Sequence, residues 1–530
     1  MLKSAKQKVK ESIMKNRKRG VREQGITLLA LVITVIIIII LATVAINFAF
    51  GDNGLITQAE LARDMAANST TAEQEGMNSL MDEYANIMAE PPAPFTPQPT
   101  PEPEQGETEL SDADKANGVI EIKWLSGTSN NVSSTPNAPV IKEDLPDGTT
   151  MELVRYTGEG STEQERWVAG TEYSYEPGTG SSDNTSSKWA NARVTIDGID
   201  SYFVWIPRYA YRIIYFDTAE SKIAYQEGTL TEEDAKAQEK IKGYSDSRGI
   251  VDAEGKKVAN VTSTTKIMVS EDYFMTHPAF MNGTETGYAN GEWETDIAGI
   301  WIGKYETARS NATSLSSGSG TILKVQPNVR SLMSLTIGTM YTYSLAYSTD
   351  LESHMLKNSE WGAVAYLTES KYGRNGTEIG MNDQLITGGG ADNAYATENQ
   401  LQSTTGNVYG IYDMRGGAYE FVAGYYNGSD VYTDRLENGN SFARVNGAST
   451  KYATAYTGTS ESTSYKYGDA TYETSGWHSD SSIFVSSSGP FFIRGAYYYS
   501  NDTSYAGVFY YNCFDGSAYS FNSIHLALVV

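Results

Sequence analysis

The chain has 530 residues, 40 Lys+Arg against 65 Asp+Glu, a formal charge of −25, one cysteine, 37 tyrosines and 15 prolines. That length is ample for a buried core of ordinary size. The single Cys513 excludes an intramolecular disulfide and a cysteine-built zinc site, and the acidic balance disfavours nucleic acid as a general partner.

The charge is unevenly placed. Residues 1–25 carry nine basic side chains against Glu11 and Glu23, which leaves 31 basic and 63 acidic groups in residues 26–530. Between head and body, Ile26 to Phe50 contains no charged residue and includes the run Ile36 to Ile40. A helix of that length reaches about 37 Å, enough to cross a hydrocarbon layer of roughly 30 Å. A cleaved secretory signal has an apolar region of only about 7–15 residues, so the sequence predicts a single membrane span. The basic flank places residues 1–25 in the cytoplasm and everything after Phe50 outside, a single-pass cell-membrane protein with an extracellular C-terminal part.

The stretch EQGITLLALVITVIIIIILATVAIN resembles the amino terminus of a type IV prepilin or pseudopilin. The resemblance implies cutting by a prepilin peptidase between Gly25 and Ile26, and association with other pilin subunits. Such pilins carry Glu at the fifth mature position, where this chain has Ala30. Two readings stay open: a tip or minor subunit, or a simple anchor that keeps the leader pattern.

Gly51-Asp52-Asn53-Gly54 is turn chemistry, and Thr57 with Glu60 reads as a capping box that restarts a helix. Met77, Leu80, Met81, Tyr84, Ile87 and Met88 form one apolar stripe, so residues 51–90 are expected to be a helical stalk. Seven prolines fall between Pro91 and Pro103. The segment 91–109 is therefore a semi-rigid polyproline spacer, about 3.1 Å per residue.

From about residue 110 to 530 the texture turns to Gly, Ser, Thr, Asn and Tyr with short apolar runs. Strands are expected at Tyr202 to Ile206, Ile213 to Phe216, Ile300 to Ile302 and Leu526 to Val530, and helices at Leu230 to Tyr244 and Ser353 to Gly373. The expected class is α+β: a long N-terminal transmembrane helix, a Pro-rich linker and a loop-rich C-terminal domain.

Five phrases in order, among them GIWIGKYETA, KNSEWGAVAYLTESKYG, TGNVYGIYDMRGGAYEFVAG and the tail from FFIRGAYYYS, resemble the formylglycine-generating-enzyme-like branch of the C-type lectin fold. The likeness extends over about residues 136–530 and is nearest to variable proteins of diversity-generating retroelements. It implies a compact fold whose last strands and loops form a ligand-binding face. Oxidase members hold copper with two cysteines after an Arg-Gly-Gly; here Arg494-Gly495-Ala496 is followed by Tyr and Ser, and Cys513 stands alone, so no catalytic residue is assigned. The histidines His277, His354, His478 and His525 lack metal-ligand spacing. Some relatives bind calcium near GAYEF, which makes Asp413 and Glu420 the candidates for such an ion; no other cofactor is expected.

Residues 494–530 hold seven tyrosines and no Lys, Met, Glu, Gln or Trp. Tyr with Ser, Asn and Gly is the composition of antibody-type binding loops: large rigid area with a polar tip, few torsions lost, and small adaptable neighbours. The absent types also fit the resemblance, since a retroelement that randomises adenines cannot turn an Asn codon into any of those five. The ligand-facing set is Tyr497, Tyr498, Tyr499, Ser500, Asn501, Tyr505, Tyr510, Tyr511, Asn512, Cys513, Tyr519, Phe521 and Asn522. Three consecutive tyrosines cannot share one face of a strand, which argues against a purely structural role. The sequence therefore describes a surface-displayed, membrane- or pilus-anchored adhesin-like receptor whose partner is an extracellular protein, glycan or phage surface. The alternatives are a structural minor pilin and a catalytic family member.

Overall fold

The computed structural model describes residues 118–178, 184–216, 219–230, 241–242, 274–282, 293–389, 394–428, 451–498 and 507–530. The expected span over 26–50, stalk, linker and processing pair Gly25–Ile26 lie outside these residues. In chain order the strands are β1 (Gly118–Leu125), β2 (Val132–Ser133), β3 (Thr149–Tyr156), β4 (Trp167–Ala169), β5 (Asn191–Ile196), β6 (Ile199–Pro207), β7 (Tyr209–Phe216), β8 (Ile241–Lys242), β9 (Met275–Thr276) and β10 (Gly299–Gly303). They continue as β11 (Ala308–Arg309), β12 (Leu323–Lys324), β13 (His354–Met355), β14 (Tyr419–Tyr426), β15 (Thr454–Tyr456), β16 (Phe491–Arg494), β17 (Tyr511–Phe514), β18 (Asn522–Ser523) and β19 (Leu526–Leu528). The helices are α1 (Glu163–Arg166), α2 (Ala219–Gln226), α3 (Ile337–Ala346), α4 (Asn358–Glu369), α5 (Thr397–Gln400) and α6 (Glu461–Ser464).

The expected fold class is corrected by this inventory. Among the described residues the chain is strand-rich, mostly in antiparallel sheets, and its longest helix, α4, has 12 residues. No helix among them is long and apolar enough to cross a membrane, and against that finding the single-pass membrane placement is not retained.

The seven-stranded sheet runs β13-β19-β10-β6-β5-β3-β4. Phe203, Trp205, Trp301, Leu526 and Leu528 enter one core, while Val204, Ile206, Ile300, Ile302 and Ala527 enter the other. Neighbouring strand residues point to opposite faces, so both faces of this sheet are covered, and its central strands read as continuous apolar runs. The last strand, β19, lies between β10 and β13, which seats the C-terminus inside the sheet.

Helix α4 falls inside the span Ser353 to Gly373 expected to be helical, and all of its residues are buried. A Cβ on Gly362 would stand 1.9 Å from the Gly468 carbonyl oxygen, so this close approach requires glycine. In the other expected helix, Leu230 to Tyr244, Ile241–Lys242 is strand β8 paired with β7. The smaller sheet, β15-β14-β16-β17 with β18 beside β14, carries the tail.

Candidate ligand-binding face

Strand β16 ends at Arg494, and the chain then takes two consecutive left-handed residues, Gly495 (φ 74°) and Ala496 (φ 70°). Left-handed backbone costs an alanine about 1–2 kcal/mol. The reversal takes Tyr497 and Tyr498 out of the strand, so the two-faced rule for strands does not govern them. Both are half-buried, against Met333, Leu385 and Ala418.

The rings of this region form one continuous array with Tyr419 at its centre. Tyr419, the first residue of β14, stacks on Tyr497 at 5.5 Å and on Tyr510 at 6.0 Å, and meets Phe521 edge-on at 6.0 Å. Tyr497 lies 4.6 Å from Tyr498 and 5.2 Å from Phe521. Tyr519 stacks on Phe521 at 5.2 Å and meets Phe514 edge-on at 5.1 Å. Tyr419, Tyr497, Tyr498, Phe514, Tyr519 and Phe521 are all half-buried.

Main-chain hydrogen bonds fasten the loop that carries the far rings. The N–H groups of Ser334, Ile337 and Tyr419 donate to the carbonyls of Tyr519 (2.9 Å), Gly516 (3.0 Å) and Phe521 (2.8 Å), and Tyr498 N–H donates to Gly417 (2.9 Å). The rings are therefore preorganised, and little ordering entropy is left to spend on binding.

Of the expected ligand-facing residues, Tyr497, Tyr498, Asn512, Tyr519 and Phe521 come together here. Three expectations are corrected by burial. Tyr510 is packed with Ala496 beside Met381 and Tyr419; Tyr511 belongs to the inner core, and its hydroxyl donates to the Glu461 carboxylate. Asn522 is fully buried in β18, paired with Tyr419. A fourth, Cys513, is half-buried but points away: on β17 it shares the Tyr511 side, against Gly489, whereas Asn512 and Phe514 occupy the opposite side. Tyr499, Ser500, Asn501 and Tyr505 lie outside the described residues. Sequence reasoning missed Tyr419 and Phe514. The only hint for Tyr419 was its place beside the glycine pair Gly416-Gly417, and nothing local marked Phe514.

Beneath the rings lies a buried polar layer. Glu306 accepts the Ala418 N–H at 2.7 Å and the Ser331 hydroxyl. Asp413, left-handed at φ 66°, accepts from Gly388 N–H (2.9 Å), Asn382 Nδ2 (2.9 Å) and Glu306 N–H (3.1 Å). Glu420 and His525 Nδ1 are hydrogen-bonded to each other. Burial pushes Glu306 and Glu420 well above the usual carboxylate range, reinforced by the charge of Asp413, and burial lowers His525 to about 4. Asp413 is also raised by burial, against its hydrogen bonds. These groups brace the platform from below: Glu306 holds the peptide next to Tyr419, and Glu420 locks β14 to the residue before β19.

Asp413 and Glu420 do not fit a calcium site. Both oxygens of Asp413 receive N–H donors, which satisfy a carboxylate and leave it poorly placed for a cation, and Glu420 meets His525 through Oε2, leaving its buried Oε1 as the single oxygen of the pair without a hydrogen-bond partner. Among the described residues, no group of three or more His, Cys, Asp or Glu is arranged to hold a metal ion. His277 is enclosed by Tyr209, Tyr211, Phe280 and Tyr366, its Nδ1 accepting the Ala279 N–H at 3.3 Å, and burial lowers it to about 3. No family model matches this chain, and no curated protein matches it.

Proposed function

We propose that this chain is a non-catalytic ligand-binding protein, adhesin- or receptor-like in character, that captures its partner on the aromatic face built from Tyr419, Tyr497, Tyr498, Phe514, Tyr519 and Phe521. The single observation that supports this reading is the half-burial of six contiguous rings on a backbone fastened by hydrogen bonds. A structural role alone would favour enclosing them, because exposed aromatic patches invite unwanted association. The reading places the chain with the C-type-lectin-like variable proteins its motifs resemble, and the tail 494–530 is the segment a retroelement would diversify. A near-identical template copy of that coding stretch beside the gene, together with a reverse transcriptase, is expected; their absence refutes diversification without touching the binding face.

Binding is tested by presenting the purified protein to a random peptide library and a glycan array, then retesting enriched ligands against a Tyr519→Ala/Phe521→Ala variant. Central aromatic anchors contribute about 2 kcal/mol or more, so affinity should fall at least about thirtyfold. Ligands that keep full affinity for a folded double variant refute the assigned face.

A further inference from the structure

We infer that the partner of this face is a polypeptide segment bearing arginine or lysine, seated with its cations over the half-buried rings; the inference rests on the binding-face reading above. Two carboxylates adjoin residues of the array in the chain. Asp515 follows Phe514, half-buried and held by Ser517 through its N–H and its hydroxyl, both at 2.9 Å. Asp383 is exposed on the loop between Met381, which packs beside Tyr419 and Tyr510, and Leu385, which packs beside Tyr497 and Tyr498.

Three of the protein's arginines near the face, Arg494, Arg309 and Arg415, are engaged within the fold, while Arg330 is half-buried. Arg494 is fully buried and donates to Asn358 Oδ1 (3.0 Å) and the carbonyls of Ala470 (2.9 Å) and Asp469 (2.5 Å). Arg309 is buried and bonded to the carbonyls of Gly320, Ser317 and Met333, and Arg415 pairs with Glu378 at 2.9 Å. Arg330 stands at the margin, on the bridge to Ile386. Ring faces carry negative potential, so rings with carboxylates adjoining them in the chain, on a protein of net charge −25, attract cations and repel anionic glycans and nucleic acid. The same protein already seats cations on rings: Lys357 over Trp293 at 3.9 Å, Lys188 over Tyr409 at 5.1 Å and Arg166 over Tyr395 at 5.4 Å.

The neighbouring hairpin argues for a polypeptide over a small cation. Between β11 and β12 it projects Leu315, 90% exposed, and Ile322, 61% exposed. Its base is tied to the face through Arg309 and Met333, and Thr313 accepts the Arg330 N–H at 2.9 Å. An extended peptide supplies cations for the rings and apolar side chains for this finger, whereas a small cation or a sugar supplies only one of the two.

The test uses the full chain at about 0.15 M salt and three probes: a labelled nonapeptide alternating Arg and Leu, its Glu/Leu counterpart, and maltoheptaose. The Arg/Leu peptide is expected to bind best. Phe521→Leu keeps apolar volume but removes the ring, and should weaken it about five- to thirtyfold. Asp515→Asn should weaken it by about fivefold, while Glu159→Gln, on the exposed loop after β3, should leave it unchanged. Equal binding to the wild type and both face variants would mean attraction to the acidic body alone and overturns the inference. Preferential binding of the Glu/Leu peptide or the sugar, lost in Phe521→Leu, overturns it too while sustaining the face. Binding of none of the probes overturns it as well, and leaves the face to the library experiment.

Discussion

Glu473 sits among phenols. Its carboxyl accepts the Gly468 N–H at 2.6 Å, the Tyr366 hydroxyl at 3.0 Å and the Tyr211 hydroxyl at 3.2 Å, and burial pushes its pKa from 4.5 to about 8. In the unfolded chain the group ionises near its ordinary value, so between about 4.5 and 8 unfolding releases one proton. Its stabilising contribution is fully present below about 4.5 and is lost as pH rises through about 8. The slope is about 1.4 kcal/mol per pH unit, and the window gives a total of roughly 4–5 kcal/mol. Glu473→Gln keeps the carbonyl acceptor and cannot ionise. Urea denaturation of both proteins from about pH 5 to 9 measures the difference directly, and Asp480, raised to about 7 by burial and the charge of Glu378, contributes equally to both curves and cancels. The variant should match or fall below the wild type at acidic pH and gain on it by several kcal/mol toward pH 9. Two parallel stability curves would refute the buried, protonated carboxyl.

Gly362→Ala places a methyl 1.9 Å from the Gly468 carbonyl and should cost about 3 kcal/mol or more by denaturant midpoint; a near-neutral result would mean α4 does not dock as described. Arg494→Met leaves the acceptors on Asn358, Ala470 and Asp469 without their buried donor and should cost roughly 3–5 kcal/mol, read by the same titration. Tyr511→Phe removes the hydroxyl that meets Glu461, Ser475 and Ser482, should cost about 1–3 kcal/mol, and should leave ligand capture within about twofold in a binding titration, because that ring faces the core. A large loss of capture would return Tyr511 to the binding set.

Runs with strong local periodicity are legible in the amino-acid sequence itself. Tyr202 to Ile206 and Ile300 to Ile302 are uniformly apolar because their sheet is covered on both sides, and α4 lies within the predicted helical span. The concentration of Tyr near the C-terminus likewise marks the region of the candidate face, because composition alone carries the cost of exposing rings. Which rings stay half-buried is not legible there. Tyr510 and Tyr511 share the composition of Tyr497 and Tyr498, yet the first pair is enclosed by Met381, Tyr419 and the core, and the second follows a left-handed reversal at Gly495-Ala496. Tyr419 reaches the centre of the array from a strand about 80 residues earlier in the chain, brought there by parallel pairing with β18. Alternation along a strand is a local property that sequence can express. The choice of outward face, and the partners waiting on the other one, arises from long-range strand pairing, and only the assembled sheets decide it.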